Sequence, residues 1–432
     1  SWGAGADVIA YAASATDYER YDALSHTWSL KAQRPQPIWI QQLYGELKWR
    51  SLFISVGLKQ HGSALLDNAL ASGDFIESGN ARPIPEIRAG FVDFRDIPFT
   101  GGWLQLQGEI AYGKMTDNGW LRDHYNYYNH FLTLGTYYHY KRLYFRTRPS
   151  ERFSVTLGMQ AAGQFGGTIN HYSYGEVWRT AVRPFHLRDL LDMFLTRTDE
   201  SYYKGNHLGS WDFKARYRLS GGDELGAYFQ WPWEDGSGIG KLNGFDGTWG
   251  LEWHKNARGP VMGAVVELLY FMNHSGPLHW DPDDNIGSNV PGHTDGSDNY
   301  YNNVEYNGYA NYGMCIGSPV FPGPLYNRDG YMAFVDNRLR GFHVGVSGAL
   351  SANVDYRVLA GYREAFGTGY APRKYPVHNT SAMVESTWRP AGMPGLSINA
   401  QVALDRGNIY GDQFGILLGV TYNGAFNIKR GK

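Results

Sequence analysis

The residues best suited to chemistry lie in polar stretches. Residues 273–329 hold Trp280, Asp281, Asp283, Asp284, Asp295, Asp298, Tyr300 and Tyr301. Flat aromatic faces stack on sugar rings, and carboxylates accept hydrogen bonds from hydroxyls. Together they suit a carbohydrate chain. Trp231 and Trp233, beside Glu234 and Asp235, have the same character. Each group also has a structural reading: a solvated loop that folds back on the protein, or a belt of interfacial aromatics.

Other chemistries fail on spacing. A glycosidase needs two carboxyls held across a sugar, and adjacent Glu234 and Asp235 do not supply that separation. Asp281, Asp283 and Asn285 start like a calcium loop, but the required glycine position holds Ile286 and the bidentate glutamate position holds Gly292. A calcium site of another kind stays open. Gly236, Gly238, Gly240 and Lys241 miss the phosphate-loop spacing, and Leu242 stands where Ser or Thr should follow. The 14 histidines show no HExxH pattern. Lys214, Arg216 and Arg218 share one strand face. If that face is a lumen, they form a basic ladder for an anion, or partners for acidic residues across it. These readings predict no catalysis, no metal and no cofactor.

The elements that position these residues are strands. The chain has 432 residues, longer than most single soluble domains, yet no linker divides it. Mean hydropathy is −0.43, and no stretch approaches the ~20 apolar residues of a transmembrane helix. Both fit a membrane barrel, whose strands carry apolar side chains at alternate positions. The 32 Tyr and 14 Trp suit aromatic girdles or sugar stacking. A formal net charge of −2 argues against a nucleic-acid partner. Cys315 is alone, which excludes an internal disulfide. Ser1-Trp2-Gly3 lacks the basic start and apolar core of an export signal, so a mature chain is expected.

Period-two alternation dominates. Phe153, Val155, Leu157, Met159 and Ala161 alternate with Ser154, Thr156, Gly158 and Gln160. Leu396, Ile398, Ala400, Val402 and Leu404 repeat the pattern, as do Trp211, Phe213, Ala215, Tyr217 and Leu219 against Asp212, Lys214, Arg216 and Arg218. Short turns are expected at Trp49-Arg50-Ser51, Pro149-Ser150-Glu151, Gly221-Gly222-Asp223, Ala257-Arg258-Gly259, Asn353 and Pro390-Ala391-Gly392. Long connections are expected at 61–87, 114–130, 163–208, 232–246, 273–340 and 365–379. Short periplasmic turns and long external loops build outer-membrane barrels. About seventeen strands are countable, and bacterial barrels use even numbers, so 163–180 or 305–335 should hide one more.

A helical insertion near 184–196 breaks the pattern. Pro184 suits its first turn, and Leu187, Leu190, Leu191 and Phe194 form an apolar stripe. It should plug the lumen or cross a barrel mouth. Ala64–Leu70 reads as a second short helix. The last strand should stop near Phe426.

Several segments resemble the Wzi family of outer-membrane capsule assembly proteins. They are Leu43–Leu52, Ser78–Arg88, Gly102–Glu109 and His124–Tyr128, all within residues 40–165. The resemblance implies a barrel of about eighteen strands, closed to diffusion by loops, with short helices associated with it. It also implies a lectin-like surface role without catalysis. No family motif of sugar-binding residues transfers by position.

The expected protein is therefore a single all-β domain over 1–432, an antiparallel transmembrane barrel of about eighteen strands in a Gram-negative outer membrane. Its expected partners are capsular or exopolysaccharide, outer-membrane lipid and lipopolysaccharide, and proteins of the capsule export or surface machinery. A porin or oligosaccharide channel, or a structural subunit of a surface complex, is the alternative.

Overall fold

A computed structural model describes residues 1–12, 16–22, 25–33, 36–117, 119–125, 130–148, 150–196, 205–278 and 296–424. Its largest sheet is antiparallel and runs in chain order. The strands are β1 (Trp2–Ala10), β2 (Ile38–Trp49), β3 (Leu52–Leu58), β4 (Pro85–Phe91), β5 (Leu104–Lys114), β6 (Tyr137–Thr147), β7 (Phe153–Phe165) and β8 (Asn206–Arg218). They continue with β9 (Glu224–Glu234), β10 (Gly247–His254), β11 (Gly263–Phe271), β12 (Leu339–Ala349), β13 (Val354–Gly367), β14 (Pro372–Trp388), β15 (Leu396–Gly407) and β16 (Gln413–Tyr422). Each pairs with its neighbour in sequence. The same rule holds through the second half. Arg95–Asp96 adds a two-residue strand beside β5, which makes the sheet 17-stranded.

The alternation seen in the sequence has the sense expected of a membrane barrel. On β7, Phe153 and Leu157 are exposed while Thr156 and Gln160 are buried. On β16, Phe414, Ile416, Leu418 and Val420 are all exposed. Apolar side chains face lipid and polar ones face the bore, as a transmembrane barrel requires. An outward aromatic group joins Phe213, Phe229, Trp231, Phe245 and Trp249, with Phe229 and Trp249 only 3.9 Å apart between ring centres.

Five of the six expected short turns, and Ser150-Glu151 of the sixth, lie at one end, together with Val92–Gly102, which sequence reading did not single out; Pro149 lies outside the described residues. The other end carries the long connections. Neither expected hiding place holds another wall strand. Gly167–Ser173 and Glu176–Arg183 form a hairpin that joins Phe131–Leu134 in a separate three-stranded sheet, and 305–335 holds only the paired dipeptides Ala310–Asn311 and Met314–Cys315. The connection expected at 365–379 is mostly strand, because β13 and β14 extend to Gly367 and from Pro372.

The helices are short: α1 (Trp120–His124), α2 (Leu187–Leu195) and α3 (Asp235–Gly238). Pro184 lies outside α2, whose N-cap is His186 with Asp189 closing a capping box. Ala64–Leu70 is not a helix. Its backbone amides turn onto side chains instead: Ser63 Oγ accepts from Leu65 and Leu66, and Asp67 Oδ1 from Ala69 and Leu70. Phe426 lies outside the described residues.

Candidate functional site

Two segments from the long-loop end fold into the bore: residues 59–84 and 296–338. Their core is aromatic. Phe75 stacks on Tyr301 at 4.7 Å and meets Tyr300 edge-on at 5.5 Å. Phe321 closes against Tyr301 at 4.8 Å. Tyr301 donates its hydroxyl to the Phe75 carbonyl at 2.6 Å, and its amide donates to Glu234 Oε2 at 2.8 Å.

Polar contacts tie this plug to strands around the wall. On β4, Arg88 is 1% exposed and bonds Glu77 of the plug at 2.7 Å, with Glu86 and Glu109 completing its partners at 2.7 and 2.6 Å. Asp74 accepts from Gln160 on β7 at 2.8 Å and from Gln230 on β9 at 2.9 Å. On β12, His343 Nε2 lies 2.8 Å from the Leu70 carbonyl, and Arg363 on β13 donates to the Val320 carbonyl at 2.9 Å. One plug thus meets β4, β7, β9, β12 and β13, which requires the sheet to curl around it.

Near the mouth, Asp298 is buried and accepts from Ser275 Oγ. Burial pushes its carboxyl up to about 7 from an ordinary 3.8, and Asp235 adds repulsion. Asp235 and Asp246 are each pushed up to about 6, burial being the largest cause. Burial thus shifts each of them toward its neutral form.

The candidate residues separate into distinct places. Trp280, Asp281 and Asp283 lie outside the described residues. Tyr300 and Tyr301 are 1% and 0% exposed, so they offer no face to a polysaccharide and serve as the plug's core instead. Trp233 is also fully buried, lying over Gly209, where a side chain would not fit. Trp231 belongs to the outward aromatic group, at 5.5 Å from both Phe229 and Phe245. Lys214 points into the bore and bonds Glu252 at 2.7 Å and the Leu65 carbonyl at 2.6 Å. Arg216 and Arg218 both hold Glu224. The ladder is therefore engaged by acidic residues on β9 and β10.

The sequence points to a wall strand within 163–180 and does not single out hairpins at the long-loop end. Gly167–Ser173 and Glu176–Arg183 turn through Tyr174 (φ 50) and Gly175 (φ 83), a two-residue loop with both φ positive. Tyr174 is 81% exposed at the tip, and Trp178 is 64% exposed with its ring 5.6 Å from His171. The hairpin Thr16–Asp22/Thr27–Gln33 adds Trp28, half-exposed and 5.4 Å from Tyr21. The Tyr174-Gly175 pair between two alternating runs was the available signal.

No protein-family model matches the chain, and no curated protein matches it in sequence. Among solved structures it superposes on Wzi, an outer-membrane protein of Escherichia coli involved in group 1 capsule assembly and a carbohydrate-binding β-barrel. The TM-score is 0.57 over 91% of this chain and 73% of that one, at 13% identity. The chain has the fold of an outer-membrane β-barrel. At this identity the likeness speaks for the fold alone. BamA of Haemophilus ducreyi (TM-score 0.39, 11% identity, 94% of this chain and 75% of that one) and OmpT of Vibrio cholerae (0.32, 6%, 94% of each) are more distant barrels. In barrels of this fold the short turns lie on the periplasmic side and the long loops on the cell surface.

Proposed function

We propose that this barrel is a non-catalytic surface lectin that binds and holds capsular or exopolysaccharide during capsule assembly. The observation that carries the reading is the filled bore beneath exposed external aromatics. A wall packed against Phe75, Tyr301 and Phe321 has little use as a conduit, while Tyr174, Trp178 and Trp28 stand in solvent beyond it. Exposed rings can stack on sugar faces. Each contact is modest, and repetition along a polymer multiplies them. Trp280, Asp281 and Asp283 belong to the same proposed surface by composition. Capsule export or surface proteins are the proposed protein partners.

The test is binding of the purified, detergent-solubilised barrel to surface polysaccharide from its source cell, with an unrelated neutral glycan as control. Selective binding that is lost in a Tyr174→Ala/Trp178→Ala variant supports the reading. Equal binding to both glycans, or to neither, overturns it. The porin reading predicts large steady currents in a planar bilayer.

A further inference from the structure

Helix α2 is turned the opposite way from the amphipathic rule. Its polar residues Asp189 and Asp192 are buried with Met193, while Leu187 is 80% exposed and Leu191, Phe194 and Leu195 are about half exposed. The reason is where it lies. On β6, Leu143 and Phe145 face outward, so His139 and Lys141 do too, and Tyr112 is their outward neighbour on β5. These are the residues α2 touches. Tyr112 donates to the Leu190 carbonyl at 2.7 Å, and Lys141 Nζ donates to the Met193 and Phe194 carbonyls at 3.0 and 2.5 Å. The ammonium thus sits at the helix C-terminus, where the dipole favours a cation. Gly163, outward on β7, lets the helix approach: a Cβ there would lie 2.4 Å from Met193 Cε. The helix neither plugs the bore nor crosses its mouth. It lies on the outside of the wall.

Its depth follows from strand length. β6 has 11 residues, and a transmembrane strand needs ~9–11 to cross the hydrocarbon. His139 and Lys141 lie within that span, toward its external end. A bare lysine and histidine there would face acyl chains at high cost. The helix covers them with polar groups and turns leucine and phenylalanine outward, continuing the apolar belt of Leu143, Phe145 and Leu157.

We propose that α2 is a membrane-embedded helix of the outer leaflet, clamped to the barrel by its polar side and presenting Leu187, Leu191 and Phe194 to lipid acyl chains. The proposal rests on the barrel fold and not on polysaccharide binding.

The one native thiol, Cys315, is buried, so an introduced cysteine can be labelled selectively. Leu191→Cys and Tyr174→Cys variants of the full chain would carry an environment-sensitive fluorophore in phospholipid vesicles, with one set of vesicles bearing nitroxides on the acyl chains. Folding is checked by the heat-dependent gel shift of barrels. The Leu191 label should be quenched several-fold more by acyl nitroxide than the Tyr174 label, and the order should reverse with aqueous iodide. Leu187→Cys is the companion probe, because that side chain leaves the packed face intact. Iodide access at both helix positions equal to that at Tyr174 would overturn the proposal.

Discussion

Arg88 on β4 and Glu77 of the plug form an ion pair at 2.7 Å with almost no solvent access. Two more carboxylates, Glu86 and Glu109, share the same guanidinium. Removing the cation leaves three acids crowded in the bore. Arg88→Ala should therefore destabilise the plugged barrel by roughly 3–5 kcal/mol, the range for breaking a buried pair. Denaturant unfolding in detergent checks this, and a change under about 1 kcal/mol would refute the anchoring role.

Phe75 is the centre of the plug's aromatic cluster and is 1% exposed. Phe75→Ala should weaken the plug by about 3–5 kcal/mol through lost burial and a cavity. The wild-type barrel should conduct poorly in a planar bilayer, and the variant should show frequent opening events. Large steady currents from the wild type would instead mean that the loops leave a permeable path.

Asp298 gives a pH dependence. Its carboxyl titrates near 7 in the fold against 3.8 ordinarily. The folded state prefers the proton, so this group's contribution is most favourable below about 4 and is lost as pH rises toward and through 7. Asp235 and Asp246 act in the same sense up to about 6. Hydrogen exchange around residues 298–301, corrected for intrinsic rates, should quicken over that window. Asp298→Asn should flatten the dependence, and an unchanged profile would discount the site.

Gly163 tests the seating of α2. Gly163→Leu places atoms where Met193 lies, so the helix must shift. Protease cleavage within 187–196 should accelerate in the folded, detergent-solubilised variant while the barrel keeps its heat-dependent gel shift. Equal cleavage rates would show that the contact does not hold the helix.

Much of the wall was legible because lipid imposes a strict rule. Phe153, Leu157 and Phe213 had to alternate with polar residues, and turns such as Gly221-Gly222-Asp223 carry their own chemistry. The site was less legible. Tyr300 and Tyr301 have the composition of exposed stacking residues, but burial is set by where their segment folds, and loop composition does not encode that. The stripe on α2 was correctly read as apolar, yet its direction depends on Lys141 and His139, which lie far away in sequence.

The plug has a consequence for how the chain assembles. The ladders that run from β1 to β16 each join strands adjacent in the chain, so that part of the wall can zip progressively from local pairings. The plug's bonds span far greater separations: Asp74 to Gln230 is 156 residues, Leu70 to His343 is 273, and Ala69 to Arg357 is 288. The early loop must wait for strands made much later, and those strands must arrive around it. Closure and filling are thus one event for this chain, and its slowest folding step should depend on the plug residues more than on any single ladder.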